Sequence, residues 1–235
     1  MPYAERLGKK YRFLIYEYPF HTAGADEQID FAAKLLKALS IEKVILIGAS
    51  DGGVYAQIFA KRHPEAVLTM ILTTTLTIDS DYVRDIRKER FSTPLLPLLL
   101  KLVPAKTEMN LLLKESTGFL ECESEEDRKY GRGFYETVAS DLHYKQRFIH
   151  SFKCVYMLKD YPLFKESDFE YLRGKIQVLL PEKDIFKKED QDRLAELFRK
   201  LDAEILNAPG GHVGFIVQAE CYMDLMETFL RKAGI

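Results

Sequence analysis

A serine framed by glycines, an aspartate and a histidine stand at three separated points of this chain, each just after a short apolar run. Ser50 lies in Gly48-Ala49-Ser50-Asp51-Gly52, a match to G-x-S-x-G. The unbroken run Val44-Ile45-Leu46-Ile47 precedes it, and a helical pattern carrying Val54, Tyr55, Ile58 and Phe59 follows as far as His63-Pro64. Strand, tight turn with serine at the apex, then helix is the context of a nucleophile elbow. Asp184 closes Pro181-Glu182-Lys183-Asp184 and His212 closes Pro209-Gly210-Gly211-His212, each at the end of its own apolar segment.

The chemistry explains the spacing around Ser50. A hydroxyl is a weak nucleophile unless a neighbouring base takes its proton, and it must stand clear of a sheet to meet a carbonyl. A sharp strand-to-helix turn lifts it out, and the turn expects Gly48 and Gly52 to remove side chains that would collide across the bend. The following helix aims its free N–H groups at the place where an oxyanion would form. A Gly-rich turn can also serve packing alone or hold a phosphate. The phosphate alternative lacks both G-x-G-x-x-G and a Lys-Ser/Thr ending. For the acid, Asp190 and Asp192 stay open as substitutes, although they fall inside a helical pattern. His21, His63, His143 and His150 have no strand-end setting comparable to that of His212.

The elements that must position these residues follow from periodicity. Residues 3–10 read as the end of a helix stopped at Leu7-Gly8. Tyr11 to Tyr16 reads as a strand ended by Tyr18-Pro19. Asp26 is placed to cap a helix with Ile29, Ala32, Ala33, Leu36 and Leu39 at helical spacing. Next come the elbow strand, expected to be buried on both faces, its helix, and a buried strand over 68–72. A β-α-β-α-β order favours a parallel sheet covered by helices. From about residue 78 to 169 the alternation gives way to helical patterns over 95–103, 109–120, 125–138 and 141–158. This insertion is expected to lie over the strand ends, with Leu99, Leu112, Phe134, Tyr135, Phe148 and Tyr156 as candidate pocket residues among what is otherwise ordinary helix packing. Residues 121–129 read as a solvated acidic helix start. The alternation resumes with strands at 176–180 and 203–206 and helices after each. The expected division is therefore a core of residues 1–77 and 170–235 with a helical cap over 78–169.

Composition bounds the function classes. The 235 residues are 47% hydrophobic, enough for one sizeable core, and 34 basic against 36 acidic residues leave a net charge of −2. That balance gives no electrostatic case for nucleic acid or an anionic membrane. Cys122, Cys154 and Cys221 are odd in number and widely spaced, which argues against a disulfide scaffold or zinc site and for a reducing, cytoplasmic setting. Neither a signal peptide nor an apolar run long enough to span a bilayer is visible, and no cofactor or metal is expected.

In a parallel sheet all strand C-termini share one edge, so residues 134 and 28 positions apart can converge there. Here the chain resembles the α/β-hydrolase family. Gly48-Ala49-Ser50-Asp51-Gly52-Gly53 resembles its elbow, Glu182-Lys183-Asp184 the loop bearing its acid, and Gly210-Gly211-His212 its histidine loop. Within the family the Tyr-Pro strand end, Gly-Ala-Ser elbow and helical cap are similar to maspardin-like proteins. The resemblance implies Ser50 as nucleophile and His212 as general base, then acid. It implies that Asp184 orients the imidazole and that the Asp51 backbone N–H is an oxyanion donor.

It also implies strands and a Gly-rich loop upstream of Tyr11, including the second oxyanion donor, which this chain does not contain. The strand of Tyr11 to Tyr16 is then expected to pair directly with Val44 to Ile47, or the sheet edge to be completed by a second copy or a partner. The leading expectation is a serine hydrolase acting on a small apolar carboxylic ester or related acyl compound through an acyl-enzyme. The alternative is a non-catalytic binding or adaptor protein.

Overall fold

The computed structural model describes residues 2–19, 22, 24–88, 95, 99, 101–104, 107, 124–141 and 143–235. The four apolar runs that follow the first two helices become β1 (Val44–Ala49), β2 (Val67–Thr73), β3 (Ile176–Lys183) and β4 (Glu204–Gly211). They form one sheet in the order β1-β2-β3-β4, and every pairing is parallel. The first helices are α1 (Pro2–Leu7), α2 (Ala25–Ala38) and α3 (Asp51–Arg62). Between β2 and β3 come α4 (Asp81–Lys88), α5 (Glu125–Ala139) and α6 (Tyr144–Met157). The chain ends with α7 (Lys188–Arg199), the one-turn α8 (Gly214–Val217) and α9 (Ala219–Lys232).

Side chains alternate across a strand, so each strand feeds two apolar layers. Met70, Leu72, Val178 and Leu180 bury against α2, α3 and α7 through Ile29, Leu36, Ile58, Phe59, Leu194 and Phe198. Ile71, Leu179 and Ala208 point the other way, onto Tyr222, Met226, Phe229 and Leu230 of α9. Arg6 ties α1 to that helix through Glu220, Asp224 and Glu227 at 2.5–2.8 Å. The fold is thus a parallel sheet covered by helices on both faces, as the periodicity implies.

One expected strand is missing. Residues 12–19 run without ladder bonds, and β1 pairs with β2 alone among the described residues. Direct pairing of Tyr11 to Tyr16 with the elbow strand is therefore not formed. The physical reason is that a strand exists only by virtue of its partner. Leu14 and Ile15 of this segment are 38% and 62% exposed, and Ile47 of β1 is 41% exposed. The elbow strand is accordingly an edge strand and is not buried on both faces as its apolar run implies.

Local details differ as well. The N-cap of α2 is Gly24, and Asp26 turns outward to bond Arg62 at 2.7 Å. Leu39 lies past the end of α2 and is exposed.

In the segment between β2 and β3 the described residues form helices and 3₁₀ turns and no strand. Ser124 caps α5, its hydroxyl accepting from the Asp127 N–H at 3.0 Å, and Glu125, Glu126 and Asp127 occupy the first turn. The expected helix over 109–120, Leu112, and the side chains of Tyr135 and Phe148 lie outside the described residues. Leu99 is exposed, and Phe134 and Tyr156 are half-buried. Among the described residues no helix is long and apolar enough to cross a membrane.

Candidate active site

Because all four strands run in parallel, Ser50, Thr74, Asp184 and His212 each follow a strand end along one edge of the sheet. Ser50 sits at φ 53°, ψ −131°, a backbone conformation that L-residues rarely adopt and that costs about 1–3 kcal/mol. The surrounding contacts hold it there. The Ser50 N–H donates to the carbonyls of Thr73 and Thr74 at 3.3 and 3.1 Å, and Thr75 Oγ1 donates to the Ser50 carbonyl at 2.5 Å.

Two glycines make the turn possible, and they are Gly48 and Gly53. A Cβ on Gly48 would come within 2.6 Å of Gly53 Cα and 2.9 Å of Ala56 Cβ. One on Gly53 would meet Thr75 Cβ at 2.5 Å and its Cγ2 at 2.6 Å. Gly52, assigned that steric role from the motif, has open space, with the Tyr18 hydroxyl nearest at 3.9 Å.

Ser50 and His212 belong to strands three places apart, about 14 Å at ordinary strand spacing. A bulge lies at the end of β4, just before His212. From Pro181 to Lys183 on β3 the paired residue on β4 advances from Ala208 to Gly211, so β4 carries one extra residue. Gly210 takes φ +80° within that step, a conformation suited to glycine.

Ser50 Oγ then lies 3.1 Å from His212 Nε2, and His212 Nδ1 lies 2.7 Å from Asp184 Oδ1. An ionised carboxylate only accepts, so Nδ1 carries the proton and Nε2 is left to accept from the serine hydroxyl. The side chains of His212 and Asp184 are buried. Asp184 Oδ1 also accepts from the Phe186 N–H at 3.2 Å, while its Oδ2 is buried with no hydrogen-bond partner among the described residues. The Phe186 ring stands edge-on to the imidazole at 5.0 Å.

Asp51, the residue after the serine, opens α3, with its amide at the helix N-terminus. Its carboxylate accepts from the Gly52 N–H at 3.1 Å and from Ser151 Oγ of α6 at 3.0 Å. Burial holds the carboxyl above the ordinary carboxylate range, against the opposing pull of Ser151 and the backbone amides. α6 thus touches the residue beside Ser50, and α5 packs on α8, the turn that follows His212.

The other candidates serve structure. Asp190 accepts from the Asp81 N–H at 2.5 Å and from Arg193 at 2.7 Å, tying α7 to α4, and Asp192 pairs with Lys188. His63 follows the end of α3 and His143 precedes α6. His150 is buried on α6 beside Thr22 and Cys154. His21 and Cys122 lie outside the described residues. A cleft of about 300 Å³ lined by Leu36, Ile41, Phe59 and His63 opens at the far end of α3 from Ser50 and takes no part in this site.

The residues missed from sequence were Gly53, Thr75, Ser151 and Phe186. A doubled glycine after the serine signals the first. The others become visible only once separate segments are packed together.

The sequence matches the profile of the alpha/beta hydrolase fold family over residues 5–219. No curated protein matches it. Solved structures resemble it in fold. MGS-M2, an alpha/beta hydrolase enzyme from a Medee basin deep-sea metagenome library, superposes with a TM-score of 0.72 at 15% identity, covering 97% of this chain and 82% of that one. A meta-cleavage product hydrolase from Pseudomonas fluorescens IP01 gives 0.65 at 19% identity, covering 98% and 83%. A thermophilic esterase from Thermogutta terrifontis gives 0.62 at 20% identity, covering 98% and 83%. Nothing in these matches singles out maspardin-like proteins.

Proposed function

The chain belongs to the α/β hydrolase family, and within it we propose a serine hydrolase that cleaves a small, apolar carboxylic ester or related acyl compound through an acyl-enzyme on Ser50. One observation carries this reading: the continuous relay from Ser50 Oγ to His212 Nε2 at 3.1 Å and from His212 Nδ1 to Asp184 Oδ1 at 2.7 Å. His212 takes the serine proton as Oγ attacks the ester carbonyl. Asp184 keeps the imidazole in the accepting tautomer and stabilises the imidazolium that results. The carbonyl oxygen becomes an oxyanion against the N-terminus of α3, where the Asp51 amide donates one hydrogen bond. His212 then gives its proton to the departing alcohol. Water enters, gives a proton to His212 and attacks the acyl carbon, and His212 returns that proton to Ser50 Oγ as the acyl–Oγ bond breaks and the acid leaves. Helices α5 and α6, of the segment between β2 and β3, act as the lid, and the Phe186 ring beside His212 favours an apolar acyl group.

Hydrolysis of p-nitrophenyl acetate by wild type and Ser50→Ala tests the reading. The variant is expected to lose about 10⁴–10⁶ in kcat; equal rates would refute it. A second reading, a non-catalytic binding protein, is favoured by the outer edge of β1, whose backbone has no ladder partner among the described residues. Such an edge accepts a strand from a partner or a second copy. Ester turnover that depends on Ser50 would set this second reading aside.

A further inference from the structure

An oxyanion is held best by two or more donors, and the α3 N-terminus accounts for one. Resting on the serine-hydrolase reading above, we propose that the phenolic hydroxyl of Tyr18 is a second oxyanion donor, reaching the mouth of α3 from the segment that precedes α2.

The placement follows from three contacts. The Tyr18 ring is wedged between two others, edge-on to Tyr16 at 5.7 Å and tilted against Tyr55 at 5.1 Å, so its direction is fixed. Its hydroxyl lies 3.9 Å from the point a Cβ on Gly52 would occupy. That point belongs to the first turn of α3 and leans towards the helix N-terminus, as Cα–Cβ bonds in a helix do. Among the described residues, its chain neighbours and its own helix backbone aside, no other atom comes within 4 Å of it. Glycine at 52 therefore leaves open space between the phenol and the helix mouth, which accounts for this glycine where the steric argument does not.

The hydroxyl is also free to donate. Among the described residues it makes no hydrogen bond. Burial, with Tyr16 and the Asp51 carboxyl nearby, keeps its pKa well above 10, so the proton is present at neutral pH. A neutral donor suits this position. The Asp51 carboxyl already draws on the Gly52 amide and on Ser151, and an acceptor there works against an oxyanion. The phenol offsets that with a hydrogen bond that strengthens as charge develops on the carbonyl oxygen.

The test compares wild type, Tyr18→Phe, Tyr16→Phe and Ser50→Ala on p-nitrophenyl acetate. The same proteins are then measured for inhibition by an aryl trifluoromethyl ketone, whose adduct with Ser50 places an alkoxide where the oxyanion forms. Phe keeps the ring contacts of residue 18, and Tyr16→Phe controls for the loss of a nearby phenol. Tyr18→Phe is expected to lose about 10²–10³ in kcat with little change in KM, and to bind the ketone more weakly by a similar factor. Tyr16→Phe is expected to stay near wild type. If Tyr18→Phe stays within about threefold of wild type in kcat and ketone affinity while Ser50→Ala is inactive, this proposal fails alone and the hydrolase reading stands. A loss confined to KM with ketone affinity intact would also overturn it. Wild-type turnover indifferent to Ser50→Ala would refute the hydrolase reading and this proposal with it.

Discussion

Adding one methyl group to Gly53 is expected to destabilise the fold and disturb the serine turn, whereas adding it to the neighbouring Gly52 is expected to cost the fold nothing. The alanine Cβ at position 53 would sit 2.5 Å from Thr75 Cβ and 2.6 Å from its Cγ2. Ordinary contact begins near 3.4 Å, so Thr75 must retreat by close to 1 Å. It is β-branched and stiff at χ1, and it anchors the elbow by donating to the Ser50 carbonyl at 2.5 Å. Overpacking of this kind costs about 1–3 kcal/mol, and weakening that hydrogen bond about 0.5–1.5 kcal/mol more. The gain from replacing a helical glycine by alanine is about 0.5–1 kcal/mol, which leaves a net loss of about 0.5–4 kcal/mol for Gly53→Ala. At Gly52 the clash is absent and only the gain remains. Urea unfolding of the two variants reads the difference as opposite shifts in midpoint at unchanged m-value. Ester turnover should fall about tenfold or more in Gly53→Ala, since displacing Thr75 moves the serine it holds. A Gly53→Ala protein as stable as Gly52→Ala would refute this account of the elbow.

Three further outcomes follow from the same geometry. Asp184→Asn should leave the fold intact and lower kcat by about 10⁴, because an amide can pair with the wrong imidazole tautomer; a loss under about tenfold would contradict the relay. Ser50→Gly should be more stable than Ser50→Ala by about 1 kcal/mol in thermal or urea melts, because glycine adopts φ 53° without strain; equal stabilities would remove the strain argument. Burial raises the Asp51 carboxyl, so wild type is favoured while that group is protonated, below the unfolded carboxylate pKa of about 3.9, and loses this contribution as pH rises through the raised folded value. The stability of Asp51→Asn relative to wild type should therefore improve as pH rises from about 4 to about 8, and a difference independent of pH would contradict it.

The interior strands were legible because β2 and β3 are buried on both faces and their apolar runs have no other use. The helices were legible where one face is buried, as in α9 with Tyr222, Met226, Phe229 and Leu230. The segment Tyr11 to Tyr16 was misread because its apolar content records only that it lies near the core. Tyr16 packs there while Leu14 and Ile15 face solvent, and strand identity depends on a ladder partner that composition cannot reveal.

Ser50, Asp184 and His212 could be picked out because each follows the end of a strand, and in a parallel sheet those ends coincide. The bulge at Gly210, just before His212, could not. Neither could the choice of Gly53 over Gly52 as the close-packed glycine, which is made by Thr75 on the loop after β2. The bond between Asp51 and Ser151 joins residues 100 positions apart and appears only once α6 is packed over α3.

Labelling with a fluorophosphonate, followed by mapping of the modified peptide, tests most directly whether residues 50, 184 and 212 act together. A working relay predicts one phosphonyl group per chain, on Ser50, with labelling abolished in His212→Ala. A folded wild-type protein that takes up no probe, or one labelled equally with and without His212, would contradict it.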